Sequence, residues 1–472
     1  MQVIDQSKRR AGMLLPFNDE ETDPQSAMPV QASLERIAGH RRILLLQGPN
    51  GPFFARLRDL LLGHGCHVTK VNFNGGDDLY YRGGDTVRFS DPMPAWEARL
   101  RMLLQPRRID AIVVFGSARR QHRIAARVAR ELGIAYWVFE EGYIRPDYIT
   151  LEAGGVNAES PLASLPLDSI PHAERTTRPC RFRHAFGLMA WHSFWYFVAG
   201  WIAQGRYPHY RHHKPFSVPE LGRWLRAGYR KIRFHWQERG LRRQLLASDH
   251  PHFFMVALQV SGDSQIRQHS PWRRIEDFIE ATIQSFASHA PPDSQLVIKH
   301  HPMDRGHTNY AATIAASCAR YGVAGRVSYL HDARLPSLLH RCIGLVTVNS
   351  TTGLQALFHR VPVIALGRCF YAKPGLTFQG SLDAFWSGPP AVDMREFSRF
   401  RHYLIRVSQI NASFYADHPV SPPNMPAAGP RQFRHLPVRV LSVLCLLMAD
   451  AYSGRVWSLG GMLDWLAQMV VG

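Results

Sequence analysis

Cysteine is scarce in this chain. Cys66, Cys180, Cys318, Cys342, Cys369 and Cys445 are the only six in 472 residues, and no two have C-x-x-C spacing. That argues against a zinc framework or a disulfide scaffold and fits a reducing compartment. No D-x-D pair occurs, so no carboxylate clamp for a catalytic Mg²⁺ is indicated. The dinucleotide fingerprint G-x-G-x-x-G is missing as well. The nearest segment, Gly48-Pro49-Asn50-Gly51-Pro52, has the wrong spacing, and no G-x-x-x-x-G-K-[ST] loop is present. The most apolar run, 188–202, carries His192 near its middle and falls short of the ~20 residues that span a bilayer. Residues 1–30 hold no apolar core of signal-peptide length, so a cytoplasmic location is expected.

Acidic residues are also few: 37 Asp and Glu against 56 Lys and Arg, a formal charge of +19. Such an excess calls for an acidic partner, whether nucleic acid, an anionic membrane surface or a phosphorylated substrate. No RRM, KH, zinc-finger or helix-turn-helix signature is found, which argues against nucleic acid.

A chain of this length exceeds what one core supports, and two domains with appendages are expected. Residues 1–38 read as a leader. Within 39–160, strands at 41–47, 67–73, 111–115 and 135–139 alternate with helices at 53–63 and 121–132, the opening of a doubly wound α/β domain. Residues 161–245 form an insertion in which prolines give way to an aromatic helix around 191–201 and then to a basic segment. Aromatics among cations suit a membrane surface, and equally the core helices of a subdomain with a solvated basic face. A second α/β domain is expected over 246–390, and a linker with closing helices over 391–472.

Four clusters carry chemistry-bearing residues. The buried strand beginning at Phe253 runs into Gln259, Asp263 and Gln265. A carboxylate between amides can act as nucleophile or base, although 261–264 also reads as a polar turn with Asp263 capping a helix. Glu140 and Glu141 end a strand and are followed by Arg145, a placement that suits an acid/base or a simple ion pair. Lys299, His300, His301 and Pro302 end another strand, and Pro302 holds His301 in an extended turn where its ring can donate to phosphate or move a proton. Asn349, Ser350, Thr351, Thr352 and Gly353 turn from a strand into a helix, which makes an anion site, a helix cap, or both.

Taken with Gln47-Gly48-Pro49, Asn74-Gly75-Gly76-Asp77 and Glu140 to Pro146, these motifs resemble the capsular polysaccharide biosynthesis family of Gram-negative bacteria, in its KpsS/LipB-type branch of retaining β-Kdo glycosyltransferases. The resemblance covers about 43–386. It implies a GT-B-like α/β fold: two Rossmann-like domains facing a central cleft, with a helical aromatic and basic insertion and C-terminal helices. It further implies transfer of Kdo from CMP-Kdo to a lysophosphatidylglycerol acceptor at the inner-membrane surface, starting a poly-Kdo linker, without metal or other cofactor. Other capsule synthesis and export proteins are implied partners. By the same resemblance Asp263 is the nucleophile with Gln259 beside it, and Glu141, or else Glu140, is the base. The donor-binding set is Lys299 through Pro302 with Asn349 through Gly353. Gln47, Gly48, Asn74, Gly75, Asp77, Glu140, Arg145 and Gln265 lie on the acceptor side or in the cleft. Another nucleotide-sugar-dependent capsule transferase and a non-catalytic capsule export protein are the alternatives.

Overall fold

A computed structural model describes residues 32–171, 179–182, 185–211, 218–262 and 264–416. In chain order the first domain contains α1 (Ala32–Ala38), β1 (Arg42–Leu45), α2 (Phe53–Gly63), β2 (His67–Asn72), α3 (Gly75–Tyr80) and β3 (Asp85–Arg88). It continues with α4 (Trp96–Leu104), β4 (Ala111–Phe115), α5 (Arg120–Glu131), β5 (Ala135–Glu141) and β6 (Ile149–Ala153). The strands β3-β2-β1-β4-β5 are parallel, and β6 adds antiparallel to β5. Ile43, Leu44 and Leu45 of β1 and the Ala111 to Val114 run of β4 are fully buried, as strands covered by helices on both faces must be.

The first domain adds α3, β3, α4 and β6 to the elements the sequence announces, and two further features depart from that reading. Helix α1 starts inside the expected leader, because Leu34 and Ile37 pack under the sheet. Strand β5 does not stop at Phe139. It runs through both glutamates, because β6 pairs Thr150 with Glu140 and Ile149 with Glu141.

Helices α6 (Ala185–Ile202), α7 (Val218–Gln237) and α8 (Arg239–Leu246) form the insertion. Beyond it come β7 (Phe253–Ala257), α9 (Ser264–His269), α10 (Ile275–His289), β8 (Gln295–Lys299), α11 (Ala311–Arg320), β9 (Val327–Leu330), α12 (Leu335–Leu339), β10 (Cys342–Thr347), α13 (Thr352–Phe358) and β11 (Val363–Ala365). These five strands are parallel in the order β9-β8-β7-β10-β11. Numbered from its own first strand, each domain therefore reads 3-2-1-4-5, the Rossmann order, and the two together form the GT-B-like arrangement.

The insertion is shared between the domains. Helix α6 packs on α3 of the first, while α7 and α8 seat on the second through Glu238, which accepts the backbone N–H groups of His331 (2.9 Å) and Asp332 (2.9 Å). After α14 (Leu382–Phe385), helix α15 (Met394–Ser408) leads back to the first domain, where β12 (Gln409–Ile410) pairs antiparallel with β6. Residues 394–410, expected as linker, are thus part of the first domain's architecture. The closing helices expected at 436–448 and 457–471 lie outside the described residues.

Candidate active site

In a 3-2-1-4-5 sheet the binding crevice opens where the order reverses, at the carboxyl ends of the first and fourth strands. In the second domain those strands are β7 and β10, and the residues leaving them meet. Gln259 Nε2 donates to Asn349 Oδ1 at 2.9 Å, and the Asn349 backbone N–H donates to Gln259 Oε1 at 3.0 Å. This two-bond clasp spans the switch point. Ser350 then acts locally: its hydroxyl donates to Thr352 Oγ1 at 3.0 Å and accepts the Thr352 N–H at 3.2 Å. Gly353 has no room for a Cβ, since the Tyr371 ring lies against it and the Tyr371 hydroxyl donates to the Ser350 carbonyl.

The His-Pro turn borders the same crevice. Pro302–Asp304 forms a short 3₁₀ turn, and the Met303 N–H donates to His301 Nδ1 at 3.2 Å. A neutral His301 therefore carries its proton on Nε2 and presents a ring N–H donor. His300 is fully buried, with Nδ1 2.7 Å from the Tyr329 hydroxyl, and burial beside His331 pushes its pKa down to about 3. It is a neutral packing residue rather than a titrating one. Lys299 is buried, and desolvation aided by the neighbouring Arg305 lowers its pKa to about 8. An ammonium held that low gains from any anion brought beside it.

Asp304 joins the His-Pro turn to the turn after β7. Its carboxylate accepts the Ser261 N–H (3.1 Å), the Ser261 hydroxyl (3.1 Å), the Thr308 hydroxyl (2.6 Å) and the Tyr310 hydroxyl (3.2 Å). Sequence reasoning passed over Asp304, although it is the single acid in 299–308. Asp263 itself and the side chain of Gln265 lie outside the described residues.

In the first domain the corresponding crevice lies at the ends of β1 and β4, and the chain fills it with its own helix. Gln47 Nε2 donates to the hydroxyls of Tyr196 (2.8 Å) and Tyr210 (2.6 Å), and its Oε1 accepts from Gln121 (2.6 Å). The Tyr196 hydroxyl also accepts from Asn74 Nδ2 (2.8 Å) and donates to Asp77 Oδ1 (2.9 Å). Asn74 Oδ1 caps α3 through the N–H groups of Gly76 and Asp77. Gly75 and Gly76 are glycine because a Cβ would strike the Ala199 carbonyl or the Tyr196 ring. Gln47, Asn74, Gly75 and Asp77 thus form the seat of α6. Gly48 lies beside them, its carbonyl accepting from Arg119 at 3.2 Å.

Glu140 and Glu141 stand at the carboxyl end of β5. Burial raises both, and Glu140 is pushed up to about 7, into the range of a working acid/base. Strand alternation sends the two carboxyls to opposite faces. Arg145 donates through Nε to the Gly142 carbonyl at 3.2 Å, yet its charge is close enough to moderate both. Just beyond, Tyr143 stacks on Phe370 with centroids 4.2 Å apart, bringing the carboxyl end of β5 against the segment that leaves β11. Lys373, on the same segment, is a buried fastener whose Nζ donates to the carbonyls of Leu162, Ala163 and Leu165. A cavity of about 250 Å³ lined by Arg42, His67, Asp85 and Arg107 sits at the opposite, amino-terminal edge of the first sheet.

A model of the family described as capsule polysaccharide biosynthesis protein matches residues 110–415, which hold Glu140, the Gln259–Asn349 clasp and the His-Pro turn. The chain belongs to that family. The capsule polysaccharide export protein KpsS of Escherichia coli is 39% identical over 383 residues, 79% of this chain and 97% of its own length. The capsule polysaccharide modification protein LipB of Neisseria meningitidis serogroup B is 40% identical over 79% of this chain and 91% of its own. Among solved structures, the KpsC beta Kdo 2,7 transferase of Thermosulfurimonas dismutans aligns over 76% of this chain and 99% of its own, with 14% identity and a TM-score of 0.36. For this family member, no helix among the described residues is long and apolar enough to cross a membrane.

Proposed function

We propose that the chain is a retaining β-Kdo transferase. It moves Kdo from CMP-Kdo to lysophosphatidylglycerol at the inner-membrane surface, starting the linker of a capsular polysaccharide in concert with other capsule synthesis and export proteins. The observation that carries this reading is the convergence at one switch point of the turn before Asp263, the His-Pro turn and the Asn349 loop. The Asp263 carboxylate attacks the anomeric carbon and CMP departs with the bonding electron pair. The phosphate charge left on CMP is met by His301 Nε2–H and the Lys299 ammonium. Glu140 then takes the proton of the acceptor hydroxyl, whose oxygen displaces Asp263. Two inversions give retention. Glu140 is preferred to Glu141 because burial holds it near neutrality. No step in this scheme uses a metal.

The deciding experiment is incubation with CMP-Kdo and a lysophospholipid, followed by mass analysis of lipid and protein. The expected result is a Kdo-bearing lipid with wild type and none with Asp263→Ala. Turnover only with CMP-sialic acid or a UDP-sugar would end the Kdo assignment. A folded Asp263→Ala chain that still supports capsule would favour the export role named for the Escherichia coli relative.

A further inference from the structure

Helices α7 and α8 present two faces of opposite character. The inner face is fixed to the second domain. Arg226 Nε donates to the Gly306 carbonyl at 2.8 Å, Arg230 Nη1 to the Arg305 carbonyl at 2.9 Å, and Phe234 stacks on His331 at 3.8 Å between centroids. Gly306 has no Cβ because the Arg223 carbonyl occupies that space.

The outer face is turned to solvent. Tyr229, Ile232 and Trp236 are 63%, 59% and 58% exposed, and their spacing of three and four residues sets them on one stripe. Arg233, Arg239 and Arg243 are exposed beside them, with the Arg239 guanidinium 6.0 Å from the Trp236 ring. The only acids in 218–246 are Glu220 and Glu238, and Glu238 is buried under His331. The stripe ends at an open depression of about 430 Å³, where Arg239, Arg242 and Arg243 surround Leu246 and Ala247.

We infer that this outer face docks on an anionic phospholipid surface. A water-facing row of large apolar and aromatic side chains marks a surface that is covered in use. Arginines interleaved with tyrosine and tryptophan match the boundary between phosphate headgroups and acyl chains. There the rings settle at headgroup depth, and the arginine stems lie along the apolar layer with their charges among phosphates. Nucleic acid or an acidic protein would satisfy the cations but leave Ile232 and Leu246 without a counterpart. The inference rests on the membrane-surface reading above and assigns the surface concerned. Its readout needs no transferase activity.

The test is co-sedimentation of the full chain with vesicles of phosphatidylcholine alone and of phosphatidylcholine with roughly one-third phosphatidylglycerol. Binding is expected only to the anionic vesicles. The pair Ile232→Asp and Trp236→Asp is expected to weaken it at least about ten-fold with far-UV circular dichroism and thermal midpoint unchanged. Trp236→Phe is expected to retain it, and Arg239→Ser with Arg243→Ser to abolish the preference for anionic lipid. Equal binding to both vesicle types, no binding, or full binding by the Asp pair would overturn the inference. So would an oligonucleotide complex or a chain dimer that the Asp pair abolishes. Vesicle binding without turnover of CMP-Kdo would sink the transferase reading alone; turnover without vesicle binding would sink this one alone.

Discussion

Asp304 accepts both the backbone N–H and the hydroxyl of Ser261, each at 3.1 Å. The turn that carries His301 and the turn that leads into Asp263 are therefore held by one carboxylate, and disturbing it disturbs both.

Replacing Asp304 leaves the Ser261 N–H and three hydroxyls without their acceptor; of these donors Tyr310 is buried, Thr308 half-buried and Ser261 exposed. Asp304→Ala is expected to cost about 1–3 kcal/mol in urea unfolding, chiefly from the buried Tyr310 hydroxyl losing a charged acceptor. Asp304→Asn keeps the shape and loses the charge. It is expected to fold with a smaller deficit yet turn over at least about ten-fold more slowly, because the turn leading into Asp263, the proposed nucleophile, is no longer held.

Glu140 gives a pH signature. Its folded pKa of about 7 lies above its ordinary value near 4.5, so the folded chain binds the extra proton, and stability falls as pH rises from about 4.5 to 7. Glu140→Gln removes that fall and is expected to exceed wild type by up to about 3 kcal/mol at pH 8. Glu152, also raised to about 7, stays in both proteins, so the difference between the two pH–stability curves isolates Glu140. The wild-type rate is expected to climb through pH 7, and the variant to lose that limb together with about a hundred-fold in kcat.

Lys299 behaves oppositely. A folded pKa of about 8 against 10.5 means the unfolded chain binds more protons between those values, so stability rises with pH across that window. Lys299→Met is expected to be more stable than wild type at pH 7 by up to about 3 kcal/mol, with the gap closing towards pH 10.5. The same variant is expected to bind CMP about ten-fold more weakly by calorimetry, because it lacks the cation for the phosphate.

The seat of α6 is open to test through Tyr196. Tyr196→Phe strands the Asn74 amide, one Gln47 N–H and the Asp77 oxygen, an expected loss of about 2–3 kcal/mol. Gly75→Ala forces a methyl into the Ala199 carbonyl and is expected to cost about 1–3 kcal/mol. In both variants trypsin is expected to cut faster at Arg206, just past the helix, on a gel time course.

Much of this architecture is legible in the chain. The apolar runs at 253–257 and 111–115 announce buried parallel strands, and helix 53–63 follows from Phe53, Phe54, Leu57, Leu60 and Leu61 sharing one face. What stayed hidden depends on partners far away. Gln259 meets Asn349 across 90 residues, and Gln47 meets Tyr196 across 149. Polar residues beside glycines at strand ends look alike whether they receive a ligand or a helix of the same chain. Only the insertion's position shows that α6 fills the first crevice, while the Asn349 loop and the His-Pro turn proposed to hold the donor border the second. The sequence reading ends the apolar run at Phe139 with the two glutamates at its edge, because charged residues weigh against β structure; pairing with β6 carries the strand through both.

Strand β12 has a further consequence. Its two residues close the free border of β6, while Gln409 Oε1 accepts the Tyr143 N–H at 2.9 Å. The first domain is therefore not a contiguous piece of chain: its last strand is made after the whole second domain. A fragment truncated before β7 would carry an unprotected sheet margin and should self-associate through it. Supplying 394–416 as a separate peptide should restore a monodisperse species.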